Sequence, residues 1–238
     1  MDERLLCRLL GYLFGDGSLR IKKSGQVEAS IECADKSIID DFANICKALL
    51  DREVGKIQTR QRSKNWRPTY NFYCKFNKEF SKKLFELSPT YRTKPKDGKF
   101  PKLNVPRTVY KTEENIKNFL QAIVNSEGSV QLRIAKHGKW FELTRFVKIS
   151  CSHPKLLKNI SELLLKLGIE NRMHPKNAPI SVIVQKRDSL IKFSKDINFL
   201  EGIKVGNNGR WKGYEKSHIL KIAIVSLELP YGKITRIL

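Results

Sequence analysis

The chain has 238 residues, room for one or two domains, and 40% of them are apolar, enough for real cores. Lysine and arginine number 46 against 24 acids, a net charge of +22, which speaks to partners rather than fold. Nucleic acid is the natural partner, since each neutralised phosphate releases counterions, although an RNA-associated protein carries the same surplus.

No apolar run approaches the roughly 20 residues of a membrane span, and the opening Met1-Asp2-Glu3-Arg4 lacks a signal-peptide layout. The five cysteines (Cys7, Cys33, Cys46, Cys74, Cys151) are odd in number and contain no Cys-x-x-Cys pair, which suits reduced thiols. The expectation is an intracellular protein, in the cytoplasm or nucleoid of a prokaryote or in an organelle, with no membrane partner. The four histidines are too scattered for a zinc site.

Asp2 can cap a helix from Glu3 to about Gly15, with Leu5, Leu6, Leu9, Leu10 and Leu13 on one broad face. Its last part, Leu9-Leu10-Gly11-Tyr12-Leu13-Phe14-Gly15-Asp16-Gly17, holds two glycines four residues apart and ends on an acid. After Gly17 the period changes to two. Residues 19–22 and 26–33 alternate around Lys23-Ser24-Gly25, a β-hairpin whose polar face carries Arg20, Lys22, Gln26, Glu28, Ser30 and Glu32. Such side chains cover solvated sheets, and they also read base edges in a major groove wide enough for a two-stranded ribbon.

Asp35-Lys36-Ser37 opens a helix to about Leu50. A second hairpin follows, with strands over 54–62 and 69–76. Lys56, Gln58, Arg60 and Arg62 share one face, and Arg67 lies near the basic, aromatic tip. A helix over 78–87 closes the half. Residues 88–111 hold four prolines among lysines and arginines and read as a linker.

Thr112 caps a helix that runs into Leu120-Gln121-Ala122-Ile123-Val124-Asn125-Ser126-Glu127-Gly128. Laid on the first window, it matches in type at Leu9/Leu120, Gly11/Ala122, Gly15/Ser126 and Asp16-Gly17/Glu127-Gly128. The first half's order then repeats: strands over 130–135 and 140–151, a helix over 154–167, strands over 172–174 and 180–185, and a helix over 188–199. Gln131, Arg133, Glu142, Thr144, Lys148 and Ser150 form the polar set of its long hairpin. Asp16 and Glu127 stand 111 positions apart (127 − 16), and Lys75 and Gln185, at equivalent strand ends, 110 apart (185 − 75). The chain is therefore an internal duplication, too long a period for a solenoid. From about Gly202 it has no counterpart in the first half; residues 216–229 suit a final helix or strand.

Two interior glycines cost a helix roughly 2 kcal/mol against alanine. Small residues at four-residue spacing offset this by letting two helix backbones approach closely. Each helix would then deliver its terminal acid to the same end of the pair, against the negative pole of the macrodipole and against the other acid. A divalent cation resolves both conflicts.

The two windows resemble the signature of the LAGLIDADG homing endonucleases, specifically the single-chain type with two signatures. Phe14 and Asn125 depart from the acid at the sixth place of the motif, and no chemistry is put there. The resemblance implies an α+β fold of two pseudo-symmetric αββαββα domains, each with a four-stranded antiparallel sheet forming half of a DNA-binding saddle. The first domain spans 1–104, with a linker over about 88–111, and the second 112–238, with an extension from about 202.

The resemblance also implies that Asp16 and Glu127 are the metal-binding acids, with Gly15 and Ser126 beside them, and that basic and amide residues order water at the scissile phosphates. Lys75 and Gln185 are the choices for these, with Lys36 and Lys186 behind them. Mg²⁺ suits carboxylate, phosphate and water ligands, with Mn²⁺ or Ca²⁺ able to substitute for binding. The partner is double-stranded DNA, a long, weakly symmetric target cut on both strands by a monomer acting as a pseudo-dimer, with the reading frame carried in an intron. An intron RNA maturase and a non-cleaving DNA-binding regulator are the rival readings.

Overall fold

The computed structural model describes residues 2–61, 67–137, 140–175, 180–206 and 210–228. The first helix, α1 (Glu3–Phe14), starts where the Asp2 carboxylate accepts the Arg4 amide at 2.9 Å. Leu6, Leu9, Leu10 and Leu13 are all buried along it. Its equivalent α4 (Glu113–Glu127) is capped by Thr112, whose hydroxyl accepts the Asn115 amide at 3.1 Å.

These helices lie side by side at the centre of one continuous apolar core. A methyl group added at Gly11 would fall on the Phe119 carbonyl oxygen and within 2.7 Å of Ala122 Cβ; one at Gly15 would come within 2.7 Å of Ser126 Cβ. The glycines are thus notches that receive the facing helix. Phe14 closes the seam, its ring 6.1 Å from Phe119 and 5.0 Å from Tyr91. Asn125 is buried in it and joins three segments: its Nδ2 donates to the Tyr12 hydroxyl (3.3 Å) and its Oδ1 accepts the Leu200 amide (3.1 Å). Tyr12 in turn donates to Asp41 at 2.6 Å, and Arg8 pairs with the same carboxylate at 2.8 Å.

Each half builds one antiparallel sheet. In the first, β1 (Gly17–Ile21), β2 (Val27–Cys33), β4 (Thr69–Phe76) and β3 (Gln58–Arg60) lie in the order β1-β2-β4-β3, packed by α2 (Lys36–Leu50) and α3 (Lys78–Leu87). In the second, β5 (Gly128–His137), β6 (Trp140–Ser150), β8 (Ser181–Val184) and β7 (Arg172–His174) repeat that order, with α5 (Pro154–Lys166) and α6 (Arg187–Asp196). The expected α+β duplication is present.

Register sorts the faces. Arg20 pairs with Glu28, Glu28 with Lys75, Ser30 with Tyr73 and Glu32 with Asn71, so the polar side chains share one face while Val27, Ala29, Ile31, Phe72, Cys74 and Phe76 are buried on the other. In the second sheet Gln131, Arg133, Glu142, Thr144, Lys148 and Ser150 likewise fall on one face, opposite Val130, Leu132, Val147 and Ile149.

Several expected bounds change. The strand over 54–62 pairs only from Gln58 to Arg60, leaving Lys56 outside the ladder, and Arg62 lies outside the described residues. The hairpin of the second half extends to Gly128 and His137. The final element is a helix, α7 (Lys216–Val225), packed mainly on β5. Among the described residues no helix is long and apolar enough to cross a membrane.

Candidate functional site

The packed helices end at the same level, and there Asp16 and Glu127 line one open cleft of about 580 Å³. Its other wall is the linker, Pro89 to Lys94. Asp16 keeps solvent contact while Glu127 is half-buried. Even so, burial pushes the Glu127 carboxyl up to about 7, the Asp16 charge adding to the rise, and pushes Asp16 up to about 6. The two acids therefore feel each other, as the notched helix pair requires. Cys33 and Cys151, at equivalent strand ends, flank them: burial lifts both thiols to about 11, with Asp16 raising the first and Glu127 the second.

Two lysines oppose those rises on both acids, Lys94 and Lys216. Neither stands among the residues singled out from the sequence. Lys94 comes from the linker after α3 and Lys216 from the first turn of α7, so each domain's tail supplies one cation. Lys216 is firmly held: its Nζ donates to the Gly128 carbonyl at 2.7 Å and lies 5.5 Å from the centre of the Phe199 ring. Burial lowers its pKa, against the charges of Asp35, Cys33, Asp16 and Glu127.

Lys75 and Gln185, expected at the acids, lie farther out along their strands, and Lys36 and Lys186 are held in ion pairs. In an antiparallel sheet β1 leaves the acids, β2 returns and β4 leaves again. Lys75 therefore pairs with Glu28, five residues out from the Cys33–Tyr70 end, roughly 16 Å at about 3.3 Å per residue. Gln185 follows Val184, which pairs with Val147 three residues beyond Ser150. Lys36 bonds Asp40 at 2.7 Å, and Lys186 pairs with Glu170. Gly15 lines the cleft beside Asp16, and the Ser126 hydroxyl donates to the Ala122 carbonyl at 3.1 Å.

Of the expected base readers, Arg20, Gln26, Gln58, Arg60, Gln131, Arg133 and Glu142 are exposed, and Ser30, Glu32, Thr144, Lys148 and Ser150 partly so. Lys22 and Glu28 form an ion pair at 2.6 Å. The Arg67 guanidinium pairs with Asp35 at 2.8 Å, just before α2.

Two acids suit a hard divalent ion that fills its shell with water and phosphate oxygens. Among the described residues no group of three or more His, Cys, Asp or Glu side chains forms a closed cage. The burial of both carboxyls, together with the Asp16 charge that raises Glu127, is the feature a shared cation would relieve.

Two helices that abut through small residues, each followed or closed by an acid and leading into a four-stranded antiparallel sheet, define a duplicated α+β fold. Residues 114–198 match the LAGLIDADG-like domain family. No curated protein matches the chain. Among solved structures, that of the I-LtrWI LAGLIDADG homing endonuclease bound to target DNA is similar over 95% of this chain and 90% of that one, at 13% identity and a TM-score of 0.60. I-SmaMI bound to uncleaved DNA target with calcium ions is similar over 99% and 97%, at 11% identity and a TM-score of 0.56. I-DmoI in complex with DNA and Mn is similar over 82% and 96%, at 18% identity and a TM-score of 0.52. The fold of the whole chain is that of the single-chain LAGLIDADG homing endonucleases.

Proposed function

We propose that the protein is a site-specific DNA endonuclease that makes a metal-dependent double-strand break in a long, weakly symmetric target. The observation that carries this reading is that Asp16, Glu127 and Lys94 line one cleft, one acid from each duplicated helix, while the charge of Lys216 from the second tail also acts on both acids. DNA lies across the polar sheet faces, and the surplus of positive charge draws it there. The DNA-bound and Mn- or Ca-containing relatives support that partner and a divalent ion.

Asp16 and Glu127 would hold that ion, Mg²⁺ by the nature of the oxygen donors. When bound, it supplies charge stabilisation and an activated water for phosphodiester hydrolysis. The chain's own groups do the rest. The acids must be ionised, which the two lysines favour. The Lys216 ammonium, fixed on the Gly128 carbonyl, and the exposed Lys94 offer hydrogen bonds to phosphate oxygens between the half-sites. One acid from each half matches the need to cut two strands about a twofold axis.

The test is selection of a cleaved duplex from a randomised library with Mg²⁺, followed by assay of Asp16→Asn and Glu127→Gln. Each should slow double-strand cleavage by more than the roughly 10–100-fold that loss of an outer-shell partner costs, with DNA affinity kept. Tight binding without cutting in Mg²⁺ or Mn²⁺ would leave a DNA-binding regulator, and splicing of a host intron that survives both substitutions a maturase.

A further inference from the structure

The extension beyond α6 forms an arm that the duplication does not explain. Its base is anchored to both domains. The Lys204 amide donates to Asp35 of the first domain (3.3 Å), and the Lys216 amide returns to the Ile203 carbonyl (2.9 Å). Between them Val205 donates to the Tyr214 carbonyl at 2.9 Å, and Gly213 to the Val205 carbonyl at 3.1 Å, so the two limbs are laced together.

The arm runs outward from the acids along the free edge of β5. Lys216 bonds Gly128 at the start of that strand, and the Trp211 indole N–H donates to the Leu132 carbonyl at 2.8 Å, four residues on. Trp211 packs edge-on against Tyr214 (ring centroids 5.7 Å apart). The residues flanking this anchor, Arg210 and Lys212, are exposed, as is Tyr214 at 52%. Among the described residues neither Arg210 nor Lys212 meets a carboxylate. Exposed Gln131 and Arg133 stand on the adjoining strand.

We propose that this arm is a DNA-binding element in its own right: Arg210 and Lys212 hold backbone phosphates beside the second sheet, while Trp211 fixes the arm to β5. The inference rests on the endonuclease reading only for its partner, DNA, and not for cutting. Cations braced on the β5 edge, without a carboxylate partner among the described residues and next to a strand carrying Gln131 and Arg133, fit a polyanion that continues past that strand.

The test measures affinity for an arbitrary labelled duplex against salt concentration, for wild type and for Arg210→Gln/Lys212→Gln, together with hydrogen exchange of residues 203–206 and 210–216. Two lost phosphate contacts should lower the slope of log affinity on log salt by about 1.8, at ~0.9 per phosphate. Duplex should slow exchange in the wild-type arm. A steep wild-type slope left unchanged in the variant, with exchange in the arm indifferent to DNA, would overturn the arm's role and leave the endonuclease reading standing. A wild type with no salt-dependent binding at all would overturn both.

Discussion

The two domains share an order of elements and differ in what surrounds their inner strands. In the first, β1 has five residues, its Ile21 is 65% exposed, and the linker faces it across the cleft. In the second, β5 has ten residues and its edge is occupied by the arm and α7. What the duplication imposes is the helix pair, the strand order and one acid per half. What each tail adds is a lysine, reached by a different path. Repeated pattern therefore locates the acids, and the unrepeated segments complete the site.

The comparison is broken most severely at its shared element. Gly11→Val would drive a branched side chain into the Phe119 carbonyl, which cannot rotate away, and should cost 3 kcal/mol or more, at or above the top of the ~1–3 kcal/mol typical of overpacking. Gly15→Ala meets only the Ser126 side chain and should cost less. Urea unfolding of both variants checks the order.

The two tails separate next. Lys94→Met and Lys216→Met should each slow cleavage by about 10²-fold, the scale of one lost charge-stabilising donor. Only Lys216→Met should also lose stability, about 1.5–3 kcal/mol, because it alone strips a charged hydrogen bond from the Gly128 carbonyl. Single-turnover cleavage and thermal melts distinguish them. Asn125→Ala sharpens the seam between the halves: it orphans the Leu200 amide and should cost about 1–2 kcal/mol with a smaller effect on cleavage.

A further effect is expected in pH. Without metal the folded-state pKa values of Asp16 and Glu127 lie above their ordinary values of 3.8 and 4.5, at about 6 and 7. The folded protein then binds more protons than the unfolded chain between about pH 4 and 7, so stability falls as pH rises through that window. Asp16→Asn/Glu127→Gln should flatten the fall, and divalent ion should offset it above pH 7. Melting temperature against pH, with and without Mn²⁺, reads both.

Much of this was legible in the sequence because local pattern carries it. Leucines at helical spacing, the change to period two after Gly17 and the repeat of small-x-x-x-small-acid-Gly all act over short distances. The acids followed from that repeat. The lysines did not, since Lys94 comes to the cleft, and Lys216 to where its charge acts on both acids, only through the paths of the unrepeated tails. Lys75 and Gln185 were chosen from matching strand ends, and matched ends point away from the acids as readily as toward them; strand direction decides. Asn125, at a motif place to which the sequence assigns no chemistry, is the polar rivet of the helix seam. No signature announced it, because its partners, Tyr12 and Leu200, lie 113 and 75 positions away.

The central claim is that Asp16 and Glu127 serve one shared cation, and a double-mutant cycle on Mn²⁺ affinity, measured calorimetrically in the presence of bound duplex, tests it most directly. Asp16→Asn or Glu127→Gln alone should remove nearly all the affinity attributable to the pair, with the double variant scarcely worse than either. Losses that simply add, each acid holding its own ion regardless of the other, would contradict it.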